Sequence, residues 1–314
     1  MSLEPDYQPV SEGARQTAWS ATGRGAIHRL ESFWNVLRYS SAYLSVVTVI
    51  EVVIAMVVLS VPPNVAPVIL GLVTFAVYAN DRIADADDDA VSKPDQVAFV
   101  RRHENVLYVL AAGAYGLAVA LSVLAGPAAL ALTLLPGVFW VLYAADWVPD
   151  VTTRIRRLKD VLVLNTTVVA FAWAVSLTFL PLAVAGQAPT PLAGIVFAYF
   201  FLRSFVDTEL PNVDDRHSDA AAGVRTLPVV FGVETTRRFL VGVDVLTLGL
   251  VAVGVVTGLF SDLVAVALGI GVVYSTVTTI AVVGHDEVGD WTTIAPEIEY
   301  VVVAVALLPA VIAL

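Results

Sequence analysis

Five aspartates lie within nine positions of the chain, between Asp81 and Asp89, directly after an apolar run at 65–77. A carboxylate at the centre of a bilayer costs roughly 2.5–3.5 kcal/mol on insertion scales, so this segment is expected at a membrane surface or in a polar cavity. Continued as a helix, Asp81, Asp85 and Asp89 advance about 40° per step and share one side. Carboxylates gathered in this way repel one another, and the spacing therefore predicts a site for a divalent cation.

A second acidic segment follows another apolar run about 130 residues later. Its polar residues Asn212, Asp215 and Asp219 are spaced at i, i+3 and i+7, which again places them on one helical face. Two similar helical groups that face each other would bring the two segments together, and facing helices of a bundle are the usual place for a metal site.

Two acidic faces with basic residues nearby suit a diphosphate that is bridged by Mg²⁺. This ion prefers oxygen ligands and is commonly held by a few carboxylates together with substrate phosphates. Arg216, Arg225 and Lys159 are candidates for further positive charge around a diphosphate. Because the chain is strongly apolar, a lipidic diphosphate whose tail lies between helices is the expected substrate.

The composition places the chain among polytopic membrane proteins. Of its 314 residues 58% are hydrophobic, and the mean hydropathy is +0.82. The absence of cysteine excludes disulfides and thiolate metal sites. The net charge of −11 argues against nucleic acid as a partner, and together with only two lysines it predicts a salt-adapted, haloarchaeal source.

The expected fold is all-α, with nine transmembrane helices in one bundle. The apolar runs that predict them are 41–60, 65–80, 105–124, 128–146, 161–184, 192–206, 238–258, 263–283 and 297–314. Residues 1–40 read as a polar leader and 41–314 as the membrane domain. Lys and Arg are absent from the short connections between these runs, so the positive-inside rule predicts a cytoplasmic N-terminus and places both acidic segments on the cytoplasmic side of the cell membrane.

The two motifs together make the chain resemble the UbiA family of intramembrane prenyltransferases over nearly its whole length. The first family motif is matched by Asn80, Asp81, Asp85 and Asp89, and the second by Asn212, Asp215 and Asp219. The segment 222–228, which reads AGVRTLP, is similar to the family's ending of the second loop. Two departures stand out, because Asp85 comes one position late and Asn212 replaces an aspartate.

The resemblance implies an Mg²⁺-dependent transfer of a prenyl group from a prenyl diphosphate to a lipophilic acceptor. The expected donor is geranylgeranyl diphosphate if the source is archaeal, and a quinone precursor, an ether lipid and a carotenoid are the three acceptor classes. No protein partner is expected. The implied catalytic residues are Asp81, Asp85, Asp215 and Asp219. The implied metal ligands are these four with Asp88 and Asp89, where the choice between the last two is open.

Substrate-binding residues are assigned with the same resemblance in mind. They are Tyr78, Asn80, Lys159, Asn165, Asn212, Arg216 and Arg225. An aromatic wall would stabilise an allylic cation through cation–π contact, and its candidates by position are Tyr78, Phe171, Trp173 and Phe205.

Three other interpretations stay open, and a fourth is disfavoured. A solvated acidic loop explains the first segment alone, and a cation-coupled transporter would explain the deep acids Glu51 and Asp244. The sequence does not decide whether Asp207 and Glu209 are metal ligands, supporting residues or solvated side chains. A CDP-alcohol phosphotransferase is disfavoured because its motif is absent, whereas a non-catalytic UbiA relative remains open because of Asn212 and the shifted Asp85.

Overall fold

A computed structural model describes residues 32–90, 93–144, 164–283 and 291–312. All regular structure in these ranges is helical, which confirms the all-α prediction for the part of the chain that is described. The helices are α1 (Ser32–Tyr39), α2 (Ala42–Val58), α3 (Ala66–Ala84), α4 (Pro94–Ala125), α5 (Pro127–Ala144), α6 (Leu164–Val184), α7 (Pro191–Glu209), α8 (Arg216–Ala222), α9 (Leu227–Phe231), α10 (Val233–Val256), α11 (Asp262–Val282) and α12 (Trp291–Ile312). Short 3₁₀ turns follow α3 and α7, at Asp88–Ala90 and Pro211–Val213.

Each of the nine apolar runs coincides with one of the long helices, so a multi-pass membrane protein is confirmed. Among the described residues, six helices are long and apolar enough to cross a membrane, and α1 with α2 form a seventh span if the pair, bent by 72°, is counted as one. The number of nine crossings stays a prediction, as does the cytoplasmic N-terminus.

Helix boundaries follow from proline, glycine and asparagine at the connections. Prolines occupy the first turn of α3, α4 and α7. The N–H that proline lacks would have no partner within the helix at these positions, so no hydrogen bond is lost. Gly126, with φ of +114°, turns the chain between α4 and α5. Asn64 holds the α2–α3 connection in place, since its Oδ1 accepts from the Ala66 N–H at 2.9 Å and its Nδ2 donates to the Pro181 carbonyl of α6 at 3.2 Å.

The long helices form a closed ring. Each of α2 to α7 packs against its neighbour in the chain, α7 packs on α10, and α10, α11 and α12 continue the sequence until α12 contacts α2. The largest buried apolar cluster lies between these helices, with fully buried members such as Val52, Ile69 and Leu180. Large apolar side chains on the outside, including Val109, Leu124 and Val256, are exposed, which fits a lipid environment rather than water.

A buried ion-pair network holds the second half of the ring together. Arg203 on α7 is fully buried, and its guanidinium lies 2.5 Å from Asp244 on α10 and 2.5 Å from Glu299 on α12. It also donates to Ser275 on α11 at 2.6 Å. Four helices therefore meet at one arginine. Asp244, whose role the sequence left open, is paired with Arg203 inside the bundle.

Candidate functional site

One large cavity of about 1020 Å³ opens at the end of the bundle where α3 and α7 finish. Its walls come from α1, α2, α3, α4, α6, α7, α8 and α12 and from the turns after α3 and α7. Both acidic segments contribute to this single cavity. The predicted site residues that line it are Tyr78, Asp81, Asp85, Asp89, Asn212, Asp215 and Asp219.

The first acidic segment keeps a one-turn spacing beyond the end of α3. The backbone N–H of Asp85 donates to the Asp81 carbonyl at 2.9 Å, that of Asp89 to Asp85 at 2.9 Å, and that of Lys93 to Asp89 at 2.8 Å. The i to i+4 pattern therefore continues through the 3₁₀ turn, and the three aspartates face the cavity together. The extra residue before Asp85, a departure from the family motif, is consistent with this regular spacing.

The second acidic segment reaches the cavity through a 3₁₀ turn and the short helix α8. Asp215 precedes α8 directly, and its carbonyl accepts from the Asp219 N–H at 2.8 Å and from the Ser218 hydroxyl at 2.8 Å. Thr226 donates to the Asp219 carboxylate at 3.3 Å. These contacts fix two carboxylates one turn apart, opposite the first segment.

Lys93 joins the two segments, and the sequence assignment had missed it. Its Nζ lies 2.9 Å from Asp215 Oδ2 and 3.7 Å from Asp89 Oδ1. The signal was present in the sequence, because one of only two lysines follows Asp89 by four residues. Arg38 and Arg82 also line the cavity, so three basic side chains lie among its acids.

The electrostatics of Asp219 show how crowded the acids are. Burial, and then the negative charge of Asp215, raise the pKa of Asp219 to about 6, whereas the hydrogen bond from Thr226 and the charge of Lys93 act in the opposite direction. A cation bound between the segments would relieve this repulsion.

Glu209, whose role the sequence left open, is a structural anchor and not a solvated side chain. It is buried, and it accepts a hydrogen bond from the Thr166 hydroxyl at 2.6 Å and from the Leu227 N–H at 2.9 Å. The carboxylate thereby ties α6 and the start of α9 to the end of α7, so that both ends of the second acidic segment are fixed.

A smaller apolar pocket of about 180 Å³ lies beside the cavity. Tyr78, Asp81, Trp173, Thr208 and Asn212 line both spaces, so the pocket adjoins both acidic segments. The rings of Tyr78 and Trp173 stack with centroids 5.9 Å apart and planes 7° apart.

The aromatic wall predicted from the sequence is right at two positions and wrong at two. Tyr78 and Trp173 line the cavity. Phe171 is 44% exposed on the outer side of α6, and Phe205 packs with Phe239 in a separate apolar cluster, so neither ring faces the cavity. The helical register of α6 and α7, which position alone did not reveal, turns these two rings away.

Several predicted substrate-binding residues lie apart from the cavity lining. Asn80 donates to the Ala76 carbonyl of its own helix at 2.7 Å, and Arg216 donates to the Val213 carbonyl at 3.0 Å. Arg225 is exposed and does not line the cavity. Lys159 lies outside the described residues, as do the side chains of Asn165 and Asp88.

The inner end of the cavity is acidic, which the sequence showed only in part. Glu51 on α2, Asp207 on α7 and Glu297 on α12 line it. Tyr300 donates a hydrogen bond to Asp207 Oδ2, while Asp207 Oδ1 is buried without a hydrogen-bond partner. Glu297 and Glu299 lie at the start of the last apolar run. Their spacing in the sequence did not predict that these side chains lie inside the helical bundle.

The donor set fits Mg²⁺ that is held jointly with a phosphate ligand. Seven carboxylates from the two segments line one cavity, at Asp81, Asp85, Asp87, Asp89, Asp214, Asp215 and Asp219. No three acids among the described residues converge into a complete metal cage. Magnesium tolerates this arrangement because it keeps several waters and takes one or two carboxylates together with substrate phosphates.

The described part of the chain is a helical membrane bundle in which two aspartate-rich segments line one cavity. The chain belongs to the UbiA prenyltransferase family, whose model matches residues 39–293. A curated relative is the digeranylgeranylglyceryl phosphate synthase of Methanopyrus kandleri, which is 29% identical over 194 residues. That match covers 60% of this chain and 66% of the relative, just under two thirds of its length.

Solved structures share the fold. A UbiA homolog from Archaeoglobus fulgidus bound to geranyl diphosphate (GPP) and Mg²⁺ superposes with a TM-score of 0.64 at 14% identity, covering 88% of this chain and 99% of that one. A UbiA homolog from Aeropyrum pernix K1 gives a TM-score of 0.66 at 15% identity, with 87% and 98% covered. At these identities the likeness establishes the architecture alone.

Proposed function

We propose that this protein transfers a prenyl group from a prenyl diphosphate to a lipophilic acceptor, with Mg²⁺ and release of diphosphate. The observation that carries the proposal is that both acidic segments line one cavity and are joined there by Lys93. Family membership and the Mg²⁺ and prenyl diphosphates bound by the Archaeoglobus fulgidus homolog support it.

The diphosphate end of the donor belongs between the two segments. Asp81 and Asp85 on one side and Asp215 and Asp219 on the other would hold Mg²⁺, with Asp89, which lines the cavity, or Asp88 as the third ligand of the first segment. Mg²⁺, when bound, neutralises the charge of the diphosphate and makes it a better leaving group. Lys93 and Arg82 add positive charge at the same end of the cavity.

The stacked rings of Tyr78 and Trp173 are proposed to face the allylic carbon. Their faces offer the negative quadrupole that stabilises a developing cation. The apolar wall beside these rings would keep water from quenching the cation.

The remaining sequence predictions are carried forward in this proposal. Residues 41–314 form the prenyltransferase domain after a leader at 1–40, and the cavity opens to the cytoplasm of a salt-adapted cell. The acceptor is a quinone precursor, an ether lipid or a carotenoid. The name of the Methanopyrus kandleri relative makes an ether lipid and a geranylgeranyl donor the first substrates to assay.

Cation transport, the alternative from the sequence, finds less support in the described residues. Its argument was the deep acids Glu51 and Asp244. Asp244 is held in an ion pair with Arg203, whereas Glu51 lines the cavity that contains both acidic segments. A non-catalytic relative is also disfavoured, because the aspartates of both segments line one cavity despite Asn212 and the shifted Asp85.

The proposal is tested with purified protein in detergent, Mg²⁺, prenyl diphosphates of five to twenty carbons and one acceptor from each class. We expect a prenylated product and stoichiometric diphosphate from at least one pair, and loss of both with Asp81→Ala or Asp215→Ala. Absence of product from every pair, or full activity in both variants, would overturn it. Asp262→Ala, at the exposed start of α11 away from the cavity, is the matched control.

A further inference from the structure

We infer that Ser41, at the bend between α1 and α2, is a positioning residue for the donor, because its hydroxyl holds the guanidinium of Arg82 where the diphosphate is bound. The inference rests on the proposed prenyl transfer and adds a residue to the diphosphate end of its cavity. Arg82 follows Asp81 directly on α3 and lines the cavity with it.

The backbone of Ser41 is strained. Its φ of +61° and ψ of +13° lie in the left-handed region that residues with a Cβ rarely adopt. Ser41 and Ser60 are the two residues other than glycine with positive φ in the part of the chain that the structure describes, and of these Ser60 is exposed whereas Ser41 is fully buried. Strain of this kind persists where the surrounding structure holds it, and it clusters at functional sites. The conformation of Ser41 therefore indicates a functional role.

The usual reason for a serine at the start of a helix does not apply to Ser41. A serine in this position normally accepts a hydrogen bond from a backbone N–H in the first turn of its own helix. The Ser41 side chain makes no such bond to α2. Its Oγ instead accepts a hydrogen bond from Arg82 Nε at 3.3 Å, although 41 positions separate the two residues in the chain. The hydroxyl therefore holds α3 rather than capping α2.

The hydrogen bond from Nε orients the charge of Arg82. It fixes the plane of the guanidinium, whose terminal nitrogens Nη1 and Nη2 are the pair of donors with which an arginine binds a phosphate group. Arg82 lines the cavity and Ser41 does not. An effect of Ser41 on the binding of a diphosphate is therefore exerted through Arg82.

The same bend brings a second arginine to the cavity. α1 meets α2 at an angle of 72°, and Arg38 and Tyr39 at the end of α1 line the cavity. The Ser40 hydroxyl donates to the Val36 carbonyl at 2.6 Å, and the Ser41 N–H donates to the Arg38 carbonyl at 3.2 Å. These bonds close the last turn of α1, so the change of direction falls on the left-handed residue.

The experiment separates the hydroxyl of Ser41 from its backbone. Ser41→Gly keeps the left-handed conformation without strain and removes the hydroxyl. Binding of dimethylallyl thiolodiphosphate is measured by calorimetry with Mg²⁺ and without acceptor. We expect Ser41→Gly to bind about three- to tenfold more weakly than wild type, which corresponds to the loss of one hydrogen bond. Its Tm in detergent should equal or exceed that of wild type, because glycine tolerates a positive φ.

Ser60→Gly is the matched control. It makes the same substitution at a residue with φ of +54° that is exposed and does not line the cavity. This variant should bind the probe as wild type does and should change the Tm in the same direction as Ser41→Gly.

A double-mutant cycle with Arg82→Met tests the route through Arg82. Residues that act through a shared contact have non-additive effects. Ser41→Gly should therefore change the affinity of Arg82→Met less than about twofold. Additive effects of the two substitutions would overturn the inference, as would wild-type affinity in Ser41→Gly. A lower Tm that accompanies the weaker binding would assign Ser41 a structural role instead and would overturn it as well.

The binding measurement also separates this inference from the proposed function. If no donor is transferred to any acceptor but the predicted affinities are found, the transfer reaction is refuted and the role of Ser41 in diphosphate binding stands. If transfer occurs and Ser41→Gly binds the probe as tightly as wild type, the proposed function stands and the inference fails. A wild-type protein that does not bind the probe would contradict both.

Discussion

At the scale of single residues, Lys93 is the side chain on which the site depends most beyond its aspartates. It lies between Asp89 and Asp215 and is about one third exposed, so its charge is only partly screened. We expect Lys93→Met to lower kcat/KM for prenyl transfer roughly 10- to 100-fold, because hydrogen bonds to charged groups contribute about 1.5–3 kcal/mol. Lys93→Arg should retain part of the activity.

The control for Lys93 is Arg238→Met, which removes a cation that pairs with Glu234 at an exposed surface away from the cavity. Such pairs contribute about 0–1 kcal/mol, so its activity should stay near wild type. If Lys93→Met were as active as this control, Lys93 would have no part in diphosphate binding.

At the scale of helices, Arg203 is the point at which α7, α10, α11 and α12 meet. Removing one partner of a buried ion pair typically costs 3–5 kcal/mol, because the remaining charges stay buried. We expect Arg203→Leu, which strands Asp244 and Glu299, to lower the Tm in detergent strongly and to reduce the yield of folded protein. Arg238→Leu, an exposed residue paired with Glu234, should change the Tm little. Comparable Tm values for the two variants would contradict this role.

The elements show what the sequence could and could not predict. The apolar runs predicted all the long helices, because the length of an apolar run can be read from neighbouring residues alone. The spacing of Asp81, Asp85 and Asp89 predicted that their side chains lie on one side of a helix, which is also a local property. The Arg203 network and the bridge from Lys93 to Asp215 were missed, because they join residues that are distant in the chain and depend on the order of helices around the ring.

The same limit explains the aromatic residues. Trp173 and Phe171 are two positions apart on α6, yet one lines the cavity and the other is exposed. Sequence position placed both near the site, whereas the rotation of α6 against α3 and α5 decided which ring enters. The apolar pocket was missed as well, since its walls come from four helices.

At the scale of the whole molecule, the orientation in the membrane is testable because the chain contains no cysteine. Single cysteines introduced as Asp87→Cys, in the exposed part of the first acidic segment, and as Ser60→Cys, at the opposite ends of α2 and α3, report the two sides. With a cytoplasmic cavity, a membrane-impermeant maleimide should label position 60 in intact cells and position 87 only in inverted vesicles.

The reverse labelling pattern would refute the orientation predicted from the basic residues, and labelling of both positions from one side would contradict the crossing of the membrane by α2 and α3. Cysteine-free protein treated in the same way measures the background.

The central claim is that both acidic segments bind a single prenyl diphosphate through Mg²⁺, and direct binding tests it without any acceptor. Binding of dimethylallyl thiolodiphosphate is titrated by calorimetry, with Mg²⁺ and with a chelator, to wild type, Asp81→Asn, Asp215→Asn and the control Asp262→Asn. The account predicts Mg²⁺-dependent binding to wild type and to the control, and at least a roughly tenfold weaker affinity in each of the other two variants. Binding that is indifferent to Mg²⁺, or that is weakened by only one of the two substitutions, would contradict it.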